Sequence, residues 1–238
     1  MKRIATALVT GATSGIGAAV ARALAADGMR VLLAGRQPRK LAAAAASYGR
    51  RRPGGTLCAD LSSVEGVREL VTEVAVRARR LDLLVHCAGE YDWTRAGSAN
   101  AADFARLFDI NVRAPYLLTQ ALVPQLTRAR GMVVFLNSSV TRNSGQGVAL
   151  YKATQHAVQG FTDSLRQDLN LRGIRLVSLY PGRTATPRMR RIYAHEGRPY
   201  RPAKLLRPAD IAELVVALTH LPPRMEITDL HLRSASAY

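Results

Sequence analysis

The sequence predicts an α/β fold built on a doubly wound, seven-stranded parallel sheet. Three observations predict it. Short apolar runs alternate with helical patterns, several runs are continuous stretches of Val, Leu and Ile, and a glycine-rich turn joins the first run to the first helix. The chain has 238 residues, 48% of them hydrophobic, which is enough for one α/β domain with a full core. We therefore expect a single domain over residues 1–238.

The first half of the chain predicts strands and helices in strict alternation. Ser63 is a plausible N-cap for the third helix, and the alanine-rich stretch near residue 44 favours helix. In chain order the elements are strand Ile4–Thr10, helix Gly15–Asp27, strand Arg30–Ala34, helix Pro38–Tyr48, strand Thr56–Ala59, helix Val64–Arg79 and strand Leu81–His86.

The second half continues the pattern around a longer helix. Gly173 is expected to end that helix, and Pro208 to lie in the first turn of the last one. The elements are helices Ala101–Ile110 and Val112–Ala129, strand Met132–Asn137, helix Leu150–Arg172, strand Ile174–Tyr180, helix Pro208–Thr219 and strand Ile227–Leu232. Residues 183–207, irregular and with several prolines, are predicted to form a substrate lid.

The apolar segments and the cysteine content argue against a secreted, a membrane-spanning and a disulfide-rich protein. The apolar run Ile4–Val9 is too short for a signal peptide and ends in the glycine turn, and no stretch approaches the roughly 20 apolar residues of a membrane span. Cys58 and Cys87 are expected as buried thiols on strands, which fits a reducing cytoplasm. We predict a cytoplasmic protein without membrane contact.

The net charge of +17 favours anionic ligands and nonspecific contact with nucleic acid. The alternative is an ordinary enzyme with an arginine-rich surface. No helix-turn-helix, zinc-finger spacing or aromatic stacking motif supports recognition of nucleic acid. A nucleic-acid role is therefore not favoured, and a small-molecule ligand is.

The segment Thr10–Gly17 predicts a phosphate site, because a strand precedes it and a helix follows it. Gly11 allows a tight turn, Gly15 allows a close approach to a bound group, and Gly17 allows the helix to pack near the sheet. The unpaired N–H groups at the helix start and its partial positive charge suit a pyrophosphate. The sequence therefore predicts a dinucleotide site.

Ligands of such sheets bind beyond the carboxyl ends of the strands. Arg36, after the second strand, favours a 2′-phosphate and so NADP(H) over NAD(H), although a solvated arginine is the alternative. Asp60 is expected to accept a hydrogen bond from an adenine amino group. The residues expected to contact the cofactor are Gly11, Thr13, Ser14, Gly15, Ile16, Gly17, Arg36, Asp60, Leu61, Ala88, Gly89, Tyr151, Gln155, Pro181, Gly182 and Thr184.

Ser138 follows the fifth strand, and Tyr151 begins the long helix after it. A serine hydroxyl and a tyrosine phenol that face one cleft can polarise a carbonyl and exchange a proton with it. At the mouth of a nucleotide site, this pair indicates carbonyl or alcohol chemistry.

Together these residues resemble the short-chain dehydrogenase/reductase family, whose fold is Rossmann-like. The matching pieces are Thr10–Gly17, Asp60-Leu61, Ala88-Gly89, Asn111-Val112, Ser138-Ser139, Tyr151 and Tyr180–Gly182. The resemblance implies NAD(P)-dependent redox chemistry and a homodimer or homotetramer. It also implies that Ser138 holds the substrate oxygen, that Tyr151 exchanges the proton, and that Asn111 anchors a water in the proton relay.

Two positions depart from the family pattern. Cys87 stands where the family has an asparagine that ties neighbouring strands, so we expect a small structural cost. Gln155 stands where the family has a lysine, four residues after Tyr151 and on the same face of the helix. The amide of Gln155 can still bond a ribose hydroxyl but supplies no charge to a phenol whose ordinary pKa is about 10.

The missing charge predicts a direction of reaction. Carbonyl reduction uses a neutral phenol as the acid, whereas alcohol oxidation needs a phenolate. We expect an NADPH-dependent reductase whose oxidation rate is low at neutral pH and rises with alkali, and whose oxidation is faster in Gln155→Lys. Lys152 is expected to point away from Tyr151, although a long side chain can curl back. The alternative is a cyclase, dehydratase, isomerase or catalytically silent binder on the same fold.

The predicted lid carries many arginines, which suit an anionic handle such as a carrier-linked or CoA-linked carbonyl substrate. Solvated surface arginines are the alternative. Five apolar or aromatic side chains are candidates for the wall of a substrate pocket, for lid packing or for an oligomer contact. They are Tyr91, Trp93, Met189, Ile192 and Tyr193.

Overall fold

A computed structural model describes residues 5–48, 54–93, 100–142 and 147–235. Its seven strands form one parallel sheet in the order β3-β2-β1-β4-β5-β6-β7. They are β1 (Thr6–Thr10), β2 (Arg30–Gly35), β3 (Gly55–Cys58), β4 (Leu83–His86), β5 (Met132–Leu136), β6 (Arg175–Pro181) and β7 (Asp229–Leu232). The predicted fold class is confirmed, while Ile4 of the first predicted strand lies outside the described residues.

Helices cover both faces of this sheet. They are α1 (Gly15–Ala26), α2 (Pro38–Ala46), α3 (Val64–Arg77), α4 (Ala101–Phe108), α5 (Ala114–Ala129), α6 (Ala149–Asn170), α7 (Pro187–His195) and α8 (Pro208–Thr219). Residues from α3, α5 and α6 build one core layer with the sheet, and residues from α1, α2 and α8 build the other. No helix of the described residues is long and apolar enough to cross a membrane.

The local signals at the helix ends are confirmed. The Ser63 hydroxyl accepts a hydrogen bond from the Gly66 N–H at 3.0 Å, and Pro208 opens α8. The turn that ends α6 includes Gly173 at a φ of +70°, a left-handed conformation in which glycine has no Cβ to clash. These ends set the lengths of the helices that carry the site.

Three predictions need correction. The lid is not irregular throughout: it contains α7, which Thr186 caps by accepting from the Met189 N–H at 3.1 Å. The expected break at Asn111 is a π-helical turn, Asp109–Arg113, that joins α4 to α5. Cys58 is exposed rather than buried, because β3 is the edge strand of the sheet.

Candidate active site

The carboxyl ends of the parallel strands bring the predicted site residues to one edge of the sheet. α6 begins at this edge and contributes Tyr151 and Gln155. The residues that follow the strands here include Gly11, Arg36, Asp60, Ala88, Gly89, Ser138 and Gly182. The predicted cofactor and catalytic residues therefore share one region of the molecule.

The turn after β1 is closely packed against the segment after β4. Gly11 has a φ of +64°, and a Cβ there would lie 2.8 Å from the Ala88 nitrogen. A Cβ on Gly17 would lie 2.4 Å from the carbonyl oxygen of Gly11. Both positions require glycine, since a side-chain carbon would have to displace backbone atoms.

The amino end of α1 has the features of an anion site. Ser14 precedes the helix with extended backbone, its side chain makes no capping hydrogen bond, and the first turn has no acidic residue. Helix N–H groups without a capping side chain bind anions, and the helix dipole favours them. Thr13 packs near Gly35, and Ile16 packs against the core, so both support the turn.

Thr10 ties β1 to the end of β4. Its Oγ1 accepts from the N–H groups of Cys87 and Ala88, at 3.1 Å each. Burial raises the pKa of the Cys87 thiol to about 12, so the thiol stays protonated at neutral pH. The strands are thus held together with Cys87 in the position where the resemblance expects asparagine.

Arg36 lies at the end of β2, as predicted, but it is ion-paired. Its Nη1 is 2.8 Å from Oε1 of Glu90, and Arg106 binds the other carboxylate oxygen. The Arg36 side chain is 58% exposed. A phosphate at this place would compete with Glu90 for the guanidinium.

Asp60 orders the turn before α3. Its Oδ1 accepts from the N–H of Ser62 at 3.0 Å and from its hydroxyl at 2.8 Å. These two bonds, with a smaller contribution from Arg36, lower the pKa of Asp60. Leu61 is buried in the core, so its side chain is structural.

Asn111 is buried and joins three elements. Its Oδ1 accepts from the Glu90 N–H at 2.8 Å, and its Nδ2 donates to the Glu90 carbonyl at 2.9 Å. The same Nδ2 is 3.2 Å from Oγ1 of Thr154 on α6. A Cβ on Gly89 would lie 3.0 Å from the Asn111 Oδ1. The π-helical turn therefore presents a side chain that fixes the segment after β4, a frequent use of such turns.

Ser138 and Tyr151 form the hydroxyl pair that the sequence predicts. The Ser138 side chain lies close enough to the Tyr151 phenol to act on its acidity as a hydrogen-bonding group. Burial raises the pKa of Tyr151 above its ordinary value, while the charge of Arg188 and the neighbouring Ser138 act in the opposite direction. The phenol is therefore protonated at neutral pH.

Gln155 is buried one helical turn beyond Tyr151. Its Nε2 lies 3.4 Å from Oγ1 of Thr154, and its backbone carbonyl accepts from Asn137 Nδ2 at 3.1 Å. Asn137 also accepts from the Ser138 N–H at 2.7 Å. Asn137 thus holds β5 and α6 at a fixed separation, and with them the hydroxyl pair.

The segment after β6 closes the site on the side of the lid. The Gly182 N–H donates to the Leu232 carbonyl at 2.7 Å, and the Thr184 hydroxyl donates to the Gly182 carbonyl at 3.0 Å. Pro181 ends β6, and Thr184 is buried and bridges to Leu206. These residues fix the base of the lid next to the sheet edge.

An aromatic wall, defined by Tyr91, Trp93 and His195, lies beside Tyr151. The rings of Tyr91 and Tyr151 have centroids 4.7 Å apart, and Trp93 stacks on His195 at 4.9 Å. Ile192 and Tyr193 are buried, which supports lid packing for these two residues. The α7 helix therefore packs close to the predicted catalytic tyrosine.

The sequence reasoning missed three residues at this edge. Asn137 was assigned to a strand, although a polar residue at a buried strand end is a signal that could have found it. Glu90 directly follows Gly89, and a carboxylate there could have been weighed as a partner for Arg36. Arg188 is one of the lid arginines that the sequence links to an anionic handle, but its place at this edge depends on α7, a helix that the sequence does not predict.

Comparison with known proteins fits this architecture. Residues 5–197 match the family model described as short chain dehydrogenase. The chain is 31% identical to sulfoacetaldehyde reductase 2 of Chromohalobacter salexigens over 232 residues, which cover 94% of this chain and 92% of the relative.

Two solved structures show the same fold across nearly the whole chain. An alcohol dehydrogenase from the archaeon Thermococcus sibiricus, complexed with 5-hydroxy-NADP, matches with a TM-score of 0.86 and 26% identity, covering 99% of both chains. A variant of the actinorhodin polyketide ketoreductase with NADPH matches with a TM-score of 0.87 and 26% identity, covering 96% of this chain and 95% of that one. The protein is a member of the short-chain dehydrogenase/reductase family.

Proposed function

We propose that this protein reduces a ketone or aldehyde with NADPH, with Tyr151 as the proton donor and Ser138 as the ligand of the substrate oxygen. The observation that carries the proposal is the placement of the Ser138 and Tyr151 hydroxyls as neighbours, after β5 and at the start of α6, at the sheet edge. Two hydroxyl donors that converge on one point can polarise a carbonyl oxygen and protonate it.

The residues present fit NADP(H). The uncapped amino end of α1 suits the pyrophosphate, and the closely packed Gly11 and Gly17 keep this turn free of side chains. Arg36 suits a 2′-phosphate, since an arginine can bind it through two parallel hydrogen bonds. The named NADP complexes of the two similar structures support this cofactor over NAD(H). Bound NADPH supplies the hydride.

The protein's own residues supply the proton. Ser138 and Tyr151 donate to the carbonyl oxygen, and the Tyr151 proton moves to that oxygen as the carbonyl carbon is reduced. The product is the alcohol, and Tyr151 is left as a phenolate that regains a proton from solvent. We assign Asn111 to hold a water on that route and Gln155 to bond the nicotinamide ribose.

The raised pKa of Tyr151 predicts the pH dependence of both directions. Reduction uses the phenol, so its rate is flat through neutral pH and falls as pH rises through the raised pKa. Oxidation uses the phenolate, so its rate increases roughly tenfold per pH unit until that same pKa is reached. At neutral pH Tyr151 is therefore in the protonated form that reduction uses.

The aromatic wall supports a substrate with a planar or apolar group beside the carbonyl. Tyr91 contacts the ring of Tyr151 directly. Several lid arginines, by contrast, bind acidic or aromatic neighbours of this chain. An anionic aldehyde remains the alternative, because one relative is named for sulfoacetaldehyde, an aldehyde that carries a sulfonate.

A second candidate is a catalytically silent or non-redox protein on this fold. The observation that favours it is Gln155, which carries no charge and whose amide lies against Thr154. The two candidates predict the same cofactor site but different turnover.

The test combines cofactor binding with turnover. Fluorescence titrations with NADPH and with NADH measure the dissociation constant of each cofactor. NADPH consumption is followed with a panel of aryl ketones, aliphatic ketones and sulfoacetaldehyde. Saturable NADPH binding with turnover that Tyr151→Phe abolishes supports the reductase. Saturable binding without turnover of any panel member supports the second candidate, and no saturation contradicts both.

We also propose a cytoplasmic homodimer or homotetramer, following the family resemblance. Light scattering coupled to size-exclusion chromatography tests the subunit number, and a monomer at micromolar concentration contradicts it.

A further inference from the structure

The proposed chemistry leaves a phenolate on Tyr151, and a nearby positive charge would stabilise it against the desolvation of this position. Position 155 cannot provide one. The charge of Arg188 on α7 acts on Tyr151, and Tyr91 after β4 lies against its ring. Beyond Tyr91 are the ion pair of Arg183 with Glu196, and Asp92. Lys152 follows Tyr151 on α6.

Tyr91 cannot replace the missing ammonium. Burial raises the pKa of Tyr91 to about 12, with contributions from Glu196, Tyr151 and Asp92 that outnumber the opposing charge of Arg183. It is neutral at neutral pH, and ionising it would add negative charge beside Tyr151. The positive charge must come from another element.

Arg188 reaches the site from the second position of α7. Its Nη2 donates a hydrogen bond to the carbonyl of Gly89, the residue packed against Asn111. The helix that carries it is fixed by the Thr186 cap and by the buried side chains of Ile192 and Tyr193. The guanidinium is therefore anchored on the segment after β4, which also carries Tyr91 against the Tyr151 ring, and its charge acts on Tyr151.

Other lid arginines are held by groups away from Tyr151. Arg183 forms two hydrogen bonds with Glu196, at 2.8 and 2.7 Å, and Arg190 lies over the ring of Tyr200. Arg207 pairs with Asp210 at the start of α8. Arg188 differs from these three because its hydrogen bond is to the Gly89 carbonyl, at the sheet edge where the predicted catalytic residues lie.

We propose that Arg188 supplies the positive charge that stabilises the Tyr151 phenolate, in place of the ammonium that position 155 lacks. The proposal rests on the proposed function and makes Arg188 a positioning residue that acts through Tyr151. A guanidinium stays charged at all relevant pH values, so the charge is present whenever α7 is docked.

Electrostatics within the structure agree with this geometry. Burial raises the pKa of Tyr151, and the charge of Arg188 lowers it. Arg188 lowers this pKa more than Ser138 does. One consequence is that the lid controls the acidity of the phenol: movement of α7 away from the edge would remove the charge.

The first test reads Tyr151 directly and needs no turnover. A difluorinated tyrosine is incorporated at position 151, because fluorine lowers the phenol pKa into a range where the protein stays folded, and its ¹⁹F resonance is titrated. Arg188→Gln is expected to move the titration to higher pH, and Arg188→Lys to restore most of the shift. The matched control is Arg190→Gln, an exposed arginine on the same helix, which is expected to leave the titration in place.

The second test uses kinetics with a neutral aryl ketone. Because both directions share one transition state, Arg188→Gln lowers kcat/KM in both by about two- to fivefold at neutral pH and shifts the bend of the pH profile upward. Binding of an anionic substrate group by Arg188 would instead raise KM for sulfoacetaldehyde alone and leave the profile unchanged.

Three results would overturn the proposal. They are an unchanged ¹⁹F titration in Arg188→Gln, an equal shift in Arg190→Gln, and a shift that appears in Lys152→Gln but not in Arg188→Gln. Thermal melting of each variant checks that the fold is intact. If Arg188→Gln shifts the ¹⁹F titration while the wild-type protein turns over no substrate, the inference is supported and the proposed reductase is contradicted, so the two failures are distinguishable.

Discussion

The two ends of the candidate site are built from different kinds of groups. At the start of α1 the site consists of backbone: a glycine turn, N–H groups without a capping side chain, and close contact with the segment after β4. At the start of α6 it consists of side chains, Ser138 and Tyr151, whose acidity depends on charges from other elements. The backbone end has the glycines that the family resemblance predicts, whereas at the side-chain end Gln155 stands where the resemblance predicts a lysine.

This difference indicates which positions of the family pattern tolerate another residue. A glycine turn has no substitute, since a Cβ at Gly17 would lie 2.4 Å from a backbone oxygen. A positive charge is not tied to one residue, because electrostatic interactions act over several ångströms and from any direction. A cation near the phenol can therefore come from α7 when position 155 on α6 holds a glutamine.

The largest expected effect is at the side-chain end. Tyr151→Phe removes the proton donor and should lower kcat by about 10²–10⁴-fold, the usual contribution of a positioned acid. Dissociation constants for NADPH, measured by fluorescence, should stay close to those of the wild type. A variant that keeps most of its activity would show that the phenol takes no part in the chemistry.

At the backbone end, Gly17→Ala should destabilise the fold by about 1–3 kcal/mol, because the added methyl must displace the Gly11 carbonyl. Weaker NADPH binding should accompany the loss. Gly160→Ala is the matched control: it is also a helical glycine, nothing lies within 4 Å of its Cβ position, and the change should stabilise by up to about 1 kcal/mol. Chemical denaturation measures the free energy of unfolding of both variants. Equal changes in the two variants would contradict the close packing of the turn at Gly17.

Arg36 links the two ends through Glu90. Arg36→Ala should weaken NADPH binding by about tenfold and NADH binding little, since only NADPH carries the 2′-phosphate. Glu90→Gln should strengthen NADPH binding by about threefold, because the exposed ion pair that competes for Arg36 is removed. Arg39→Ala, a nearby exposed arginine of α2, is the control. If the two cofactors respond alike to Arg36→Ala, the phosphate is bound elsewhere.

The sequence predicted the sheet, its direction and the sheet edge at which the candidate site residues meet, because these depend on local patterns. Continuous apolar runs mark buried parallel strands, and a glycine turn between strand and helix marks the phosphate end. It missed α7, because its Arg- and Pro-rich stretch has little apolar periodicity, and with it Arg188. The pairing of Arg36 with Glu90 requires the strand order as well as the local pattern, since the two residues are 54 positions apart and meet only in the folded sheet.

The smallest expected effect is that of Gln155→Lys in the wild-type background. A lysine there would sit at a buried position near a phenol that Arg188 already faces, so its desolvation opposes much of the gain. We expect oxidation at neutral pH to rise by no more than about threefold, with the bend of the pH profile moved to lower pH.

The same substitution should have a larger effect once Arg188 is replaced by glutamine. Two cations that stabilise one phenolate share the same negative charge, so each contributes more when the other is absent, and a double-mutant cycle measures that coupling. We expect Gln155→Lys to recover in Arg188→Gln most of the kcat/KM that the loss of the guanidinium removes. Equal effects of Gln155→Lys in both backgrounds would mean that the cations act on different groups. In that case Arg188 would not take the role that a cation at position 155 would have, and the glutamine there would leave the phenolate without a compensating charge.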